Sequence, residues 1–270
     1  MNTLIYYNIK YGEHPRHRLD LALPVNAKGK INLILFIHGG GWIAGDKDLY
    51  QGELEYWTSK GYLAASINYR YVDDTVSHHD ELNDITAALN KIKERCNSLG
   101  IFPEKALLTG VSAGGHLSML YGYSKIEEAP IKPVCIIDNC GPADLSHNDA
   151  IHAEGLGTVD ENCNLFSWCC GKKFNKETFN NEDVQAALKQ VSPLYYINEK
   201  TIPTVISHGL LDRIVPYSQA ALLDERLTAC GVEHELICFS HSMHPPCNDP
   251  DCSERERQLF KEYAEKYLKN

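Results

Sequence analysis

The sequence predicts an α/β fold in which a mostly parallel central sheet is covered by helices on both faces. Short apolar runs of strand length alternate with helix-length crossovers along the chain, and parallel strands require crossovers of that length. The sequence shows no internal repeat and no low-complexity linker, and a length of 270 residues suits one domain. We therefore expect a single domain over residues 1–270, with catalytic groups at the carboxyl ends of the strands.

The predicted elements follow one another with short connections. The predicted strands are 4–10, 17–23, 31–37, 62–67, 106–108, 134–138, 204–207 and 235–239. Helix 80–96 is predicted because apolar residues such as Leu82, Ile85 and Leu89 share one face at helical spacing, and His78 and His79 before it are expected in a solvated loop. The other predicted helices are 113–124, 217–230 and a terminal helix from about residue 253.

Two glycine-rich stretches, each directly after a predicted strand, carry the strongest functional signal. The first is His-Gly-Gly-Gly-Trp at 38–42, and the second is Gly-Val-Ser-Ala-Gly-Gly at 110–115. Glycines two residues before and after Ser112 form the G-x-S-x-G pattern of a nucleophile elbow, a sharp turn that side chains would obstruct. The first stretch lets backbone N–H groups approach a developing oxyanion. Together the two stretches predict a serine esterase with Ser112 as its nucleophile.

With these motifs, the chain resembles α/β-hydrolases of the HGGG carboxylesterase type, close to small bacterial esterases that act on acetylated or feruloylated sugars. The resemblance runs through nearly the whole chain, and the two glycine motifs are its specific parts. Looser matches lie at 18–24, 45–47, 68–70, 141–145 and 208–216. The resemblance implies an α/β-hydrolase fold and a serine mechanism that needs neither a metal nor another cofactor.

The resemblance also implies an acid that follows Ser112 in the chain and orients the catalytic base. Asp212 follows a predicted strand and lies in the stretch that is similar to the family's acid loop. A helix N-cap or turn aspartate is the structural alternative for this residue. Asp138, which also ends a predicted strand, is the alternative acid.

The base is expected on the loop after the last strand. This loop aligns with the family's pattern of an aromatic residue, Pro, Gly, any residue, Gly and His, and the alignment gives His244 as the base. His241 and Met243 stand where the family has glycines, so His241 remains the alternative base. A His-x-x-His pair can also be half of a metal site, but no further ligands stand at a recognisable spacing.

The oxyanion donors are expected to be the backbone N–H groups of Gly40, Gly41 and Ala113. His38 is expected to brace the glycine loop rather than to transfer protons. Trp42 fits two interpretations equally, as a core aromatic or as a wall of the acyl pocket.

Residues 146–192 interrupt the alternation of strands and helices. They carry no strand signal but contain aromatic residues such as Phe166 and Trp168. A long insertion in a compact domain commonly forms a lid or a binding loop, whereas a surface excursion with its own small core is the alternative. We predict a lid, with Phe166 and Trp168 as substrate-binding walls.

Three function classes are compatible with these motifs. The favoured class is hydrolysis of short-acyl or aryl esters, sugar-linked esters included, through an acyl-enzyme. Hydrolysis of an amide or formamide bond, by an aryl formamidase or a small serine peptidase of the same fold, is the second. A catalytically silent α/β-hydrolase that only binds ligands is the third; it predicts the loss of a triad member, whereas all three are present.

The composition of the chain limits the classes of partner that it is expected to bind. The net charge of −10 argues against nucleic acids and anionic membranes, no apolar run reaches transmembrane length, and the first residues show no signal peptide. A small-molecule ester partner and a cytoplasmic location are expected, while the oligomeric state cannot be read. The ten cysteines are expected to be mostly free thiols, although disulfides or a zinc site are alternatives for those in loop-like regions: Cys163, Cys169, Cys170, Cys247 and Cys252.

Overall fold

The computed structural model describes residues 3–269 and contains an eight-stranded sheet. Met1, Asn2 and Asn270, which belong to the predicted domain, lie outside the described residues, as does the start of the segment predicted to lack a signal peptide. The strands are β1 (Thr3–Lys10), β2 (Arg18–Pro24), β3 (Leu33–Ile37), β4 (Leu63–Asn68), β5 (Lys105–Val111), β6 (Lys132–Asn139), β7 (Thr204–Gly209) and β8 (His234–Phe239).

The order of the strands in the sheet is β1-β2-β4-β3-β5-β6-β7-β8. The first two strands pair in antiparallel fashion with their neighbours, and β4, β3 and β5 to β8 are parallel. This is the mostly parallel sheet that the alternating pattern predicted, and it gathers the loops after β3, β5, β7 and β8 at one edge.

Eight α-helices lie within the described range. They are α1 (Gln51–Ser59), α2 (His78–Ser98), α3 (Ala113–Ser124), α4 (Asn148–Ile151), α5 (Val159–Cys170), α6 (Glu182–Gln190), α7 (Ser218–Ala229) and α8 (Pro250–Tyr263). Helix α1 was not predicted, and the segment 146–192 is mainly helical, since it contains α4, α5 and α6.

The core consists of two apolar clusters, one on each face of the sheet. Alternate residues of a strand enter different clusters, as in β3, where Leu35 joins one and Phe36 the other, because successive side chains point to opposite faces. Helices α2, α3, α5 and α7 pack on the first face, whereas α1 and α8 pack on the second. The sheet is therefore buried on both sides.

Among residues 3–269, no helix combines the length and the apolar character that crossing a bilayer requires.

Candidate active site

Ser112 occupies a strained turn between β5 and α3. Its φ of 58° and ψ of −123° lie in a region that residues with a side chain rarely adopt. A Cβ at Gly110 would lie 2.4 Å from the carbonyl oxygen of Ile37, and a Cβ at Gly114 would lie 2.0 Å from the same atom. The close approach of β3 therefore explains the glycines on both sides of Ser112.

The loops after β7 and β8 bring Asp212 and His244 together. Nδ1 of His244 lies 2.7 Å from Oδ2 of Asp212, while the other carboxylate oxygen accepts hydrogen bonds from the N–H groups of Ile214 at 2.8 Å and Val215 at 2.9 Å. Because Nδ1 faces the carboxylate, Nε2 is the ring nitrogen left for exchange with a nucleophile. Ser112 and His244 line the same cavity.

The surroundings of Asp212 keep its carboxylate charged. Burial alone raises the pKa of this carboxyl, but hydrogen bonds from His208, His244 and the Val215 N–H outweigh burial and bring the pKa well below its usual range. Asp212 is therefore an anion at neutral pH. An anion in this position fixes the orientation of the His244 ring and stabilises the imidazolium form.

The alternative acid and the alternative base both lie elsewhere. Asp138 is buried at the end of β6, where it accepts the Gly141 N–H at 3.0 Å, and burial raises the pKa of its carboxyl well above the usual value. The side chain of His241 is 80% exposed and contacts Asp249 at 2.8 Å. The structure thus pairs Asp212 with His244 and leaves Asp138 and His241 outside this pair.

The glycine loop after β3 faces Ser112 across the cavity. Gly40 and Gly41 have φ values of 117° and 58°, and a Cβ at Gly40 would lie 2.3 Å from the Ala44 carbonyl oxygen. Gly40, Gly41 and Ser112 line the same cavity, and Ala113 follows Ser112 as the first residue of α3, whose first N–H groups lack an intrahelical acceptor. The predicted donors are thus grouped around Ser112.

His38 braces this loop. Arg16 donates to its Nε2 at 3.1 Å, which places the ring proton on Nδ1, 2.8 Å from the Gly39 carbonyl oxygen. The ring also stacks on Tyr69 with centroids 4.3 Å apart. Burial lowers the pKa of His38 to about 4, so the ring is neutral at pH 7, and both of its nitrogens have hydrogen-bond partners.

The cavity beside Ser112 has a volume of about 470 Å³. Trp42 and Phe166 line it and are also part of the apolar core, with ring centroids 6.3 Å apart in an edge-on arrangement. Trp42 is therefore a core aromatic residue that also lines the cavity beside Ser112, and its role as a wall of the acyl pocket stays a prediction. From the insertion, Ala150, Leu156 and Phe166 reach the cavity.

The structure does not place Trp168 at this cavity. Trp168 lines a separate surface hollow together with residues such as Asn164 and Lys173. Phe166 and Trp168 are both on helix α5, and residues two positions apart are rotated by about 200° around a helix axis. Their side chains therefore point to nearly opposite sides of α5. The prediction that both form pocket walls is corrected for this reason: only Phe166 lies at the cavity.

A buried polar cluster behind Trp42 was not predicted. His78 is the first residue of α2 rather than part of a solvated loop, and it is fully buried, with Nδ1 2.6 Å from Glu81. Its ring lies 4.7 Å from that of His116, which accepts the Trp42 indole N–H at 3.3 Å. Burial lowers the pKa of His78 and raises that of Glu81, so both groups favour their neutral forms.

The cysteines form no disulfide within residues 3–269. Cys163, Cys169 and Cys170 are buried in α5, away from the loop that holds Cys247. The one group of three potential metal ligands in the described part of the chain is Cys140, Asp212 and His244. Sequence reasoning did not place Cys140 beside the Asp212–His244 pair, because β6 and β7 meet only in the folded sheet.

The chain is similar to several known proteins. The family model described as BD-FAE matches residues 19–227. The isoprenylcysteine alpha-carbonyl methylesterase ICME of Arabidopsis thaliana is 24% identical over 256 residues, which cover 88% of this chain and 56% of that protein. The probable methylesterase ICMEL2 of the same plant is 31% identical over 248 residues, with the same two coverages. The chain thus spans about half the length of the curated relatives that it matches.

A solved structure, described as a truncated form of a carbohydrate esterase from gut microbiota, superposes with a TM-score of 0.77 at 21% identity, covering 96% of this chain and 95% of that one. At this level of identity the likeness concerns the fold, and it confirms the predicted α/β-hydrolase architecture. Since the family model extends over most of the sequence, from residue 19 to residue 227, the chain belongs to the BD-FAE family.

Proposed function

We propose that this protein is a serine hydrolase that cleaves carboxylic esters through an acyl-enzyme. The observation that carries the proposal is the pairing of His244 with ionised Asp212 in the cavity that also contains Ser112 on its strained turn. The methylesterase names of the relatives support this class of reaction.

In the proposed mechanism, the Ser112 hydroxyl oxygen attacks the ester carbonyl carbon while Nε2 of His244 takes the hydroxyl proton. The negative charge that develops on the carbonyl oxygen is stabilised by the N–H groups of Gly40, Gly41 and Ala113. The intermediate collapses, the alcohol leaves with the proton from His244, and a water molecule then repeats the sequence to release the acid.

The proposal is tested with a fluorophosphonate probe, which phosphonylates activated serines. We expect one adduct per chain, located on Ser112 by mass spectrometry of the digested protein, together with loss of ester hydrolysis. A folded protein that takes up no probe and cleaves no ester would instead be a ligand-binding member of the fold. Parallel assays with aryl formamides and small peptides separate esterase activity from amide hydrolysis.

We predict that short acyl groups are preferred. The cavity has a volume of only about 470 Å³ and the insertion contributes Leu156 and Phe166 to its wall, while the alcohol side is expected to reach outward to a sugar or an aryl group. A panel of p-nitrophenyl esters of increasing chain length, with acetylated xylan and methyl ferulate added, measures this preference. Faster cleavage of long-chain esters than of acetate or butyrate would contradict it.

We also predict that activity survives both EDTA and dithiothreitol. The serine mechanism needs no metal, and the only three-ligand group among the described residues already includes the Asp212–His244 hydrogen bond. Rates are measured after dialysis against each reagent, zinc is quantified in the purified protein, and thiols are titrated under denaturing conditions, where most of the ten cysteines should react. Stoichiometric zinc or inactivation by the chelator would contradict the prediction.

We further propose that residues 1–270 work as one domain, with 146–192 as a lid over the cavity, in a reducing compartment such as the cytoplasm. The ten free cysteines support the choice of compartment, because thiols stay reduced there. The net charge of −10 supports a small-molecule partner rather than a nucleic acid.

A further inference from the structure

A second cavity adjoins the one that contains Ser112. It has a volume of about 460 Å³ and lies between α1 and α8 on the second face of the sheet. Its walls are rich in aromatic side chains, namely Phe36, Tyr50, Tyr56, Trp57 and Phe260. Aromatic walls of this kind suit a hydrocarbon chain or an aryl group.

The two cavities share two wall residues, Tyr50 and Val111. Val111 is fixed as the last residue of β5, directly before Ser112. Tyr50 ends a 3₁₀ turn, Lys47–Tyr50, and its phenol donates to the Ile37 carbonyl oxygen at 3.2 Å. Its ring packs against Phe36 with centroids 5.0 Å apart, so the Tyr50 side chain is held in place at the boundary between the cavities.

The boundary lies to one side of the nucleophile. Tyr50 packs against the core cluster on the α1 and α8 face, whereas Phe166, on another wall of the first cavity, belongs to the cluster on the opposite face. The two substituents of an ester leave the carbonyl carbon in different directions. When that carbon is at Ser112, the cavity therefore offers walls on two sides, with Phe166 on one face and Tyr50 on the other.

We propose that Tyr50 limits the length of one ester substituent by closing the Ser112 cavity against the second cavity. The inference rests on the proposed ester hydrolysis and adds a specificity-determining residue to it. The second cavity would accept the end of an apolar chain once the Tyr50 ring is removed. Its two carboxyl groups do not prevent this, because burial favours the neutral form of Glu256 by raising its pKa and Glu53 is exposed.

The test is Tyr50→Ala, assayed with two series of esters: p-nitrophenyl esters of increasing acyl length, and alkyl acetates of increasing alcohol length. We expect the kcat/KM ratio of long to short members to rise about tenfold or more in one series and to stay unchanged in the other. The series that responds identifies the substituent on the Tyr50 side. Tyr50→Leu should give an intermediate shift and covers the case in which the alanine variant is unstable.

Two matched variants serve as controls. Tyr50→Phe keeps the ring but removes the hydrogen bond to Ile37, and Tyr56→Ala alters only the second cavity. Both should keep the wild-type length preference. A shift in neither series, in both series equally, or in Tyr50→Phe would overturn the inference while leaving the proposed function intact. If the wild-type protein cleaves no ester and takes up no phosphonate, the proposed function itself fails and the inference falls with it.

Discussion

Replacing Ser112 with alanine is expected to lower kcat for ester hydrolysis by about 10⁴-fold or more, because no other group in the cavity is placed to form the acyl-enzyme. The thermal midpoint should remain close to that of the wild type. The Ser112 side chain makes no capping hydrogen bond to α3, so its removal breaks no such bond. The measurement is steady-state hydrolysis of p-nitrophenyl acetate beside a thermal melt.

Ser124→Ala is the matched control, because Ser124 ends the same helix and its hydroxyl donates to the Leu120 carbonyl oxygen at 2.5 Å. It should keep full activity, and the loss of this local bond should affect only the thermal midpoint. Retention of more than a few per cent of wild-type turnover by Ser112→Ala would assign the nucleophile to another residue.

The elbow and the glycine loop could be predicted from the sequence because their constraints are local. A carbonyl oxygen of β3 lies so close to Gly110 and Gly114 that a Cβ at either position would overlap it. Glycine is therefore required at a few neighbouring positions of the sequence. The strands before these turns are short apolar runs, which a sequence pattern also detects. The pattern therefore located Ser112 without knowledge of the rest of the fold.

Elements whose burial depends on distant partners could not be predicted in this way. Helix α1 has a largely polar sequence in which Leu54 and Trp57 supply most of the buried surface, so its helical periodicity is weak. His78 is buried because α2 packs against His116 and Trp42, and no local signal distinguishes it from its exposed neighbour His79. The sequence therefore does not predict that His78 and His116 are buried together behind Trp42.

The insertion at 146–192 shows a second reason why a prediction from the sequence failed. The sequence of this segment lacks a strand signal and predicts a lid or a binding loop. A loop would allow Phe166 and Trp168 to reach the same pocket. The structure instead has helix α5 over these residues, with Thr158 as a capping residue and Glu161 closing the capping box. A Thr-x-x-Glu pattern at this position is the signal that could have identified the helix and separated the two aromatic side chains.

The ranking of the two loop histidines is the second large effect that we expect. His244→Ala should lower kcat by several orders of magnitude, because it removes the proposed base whose Nδ1 contacts Asp212 at 2.7 Å. His241→Ala should change kcat by no more than severalfold, since the ring is mostly exposed and contacts Asp249 rather than the cavity. Single-turnover rates of both variants with a short-acyl ester measure the difference.

Added imidazole tests whether the loss in His244→Ala is the loss of a proton acceptor. The missing ring leaves space at the wall of the cavity beside Ser112, so imidazole should restore part of the rate in His244→Ala but none in Ser112→Ala. The partial rescue should follow the fraction of neutral imidazole as the pH is varied, since only the neutral form accepts a proton. The reverse ranking of the histidine variants would assign the base to His241 and require the loop after β8 to take another conformation, with His241 released from Asp249 and turned toward Asp212.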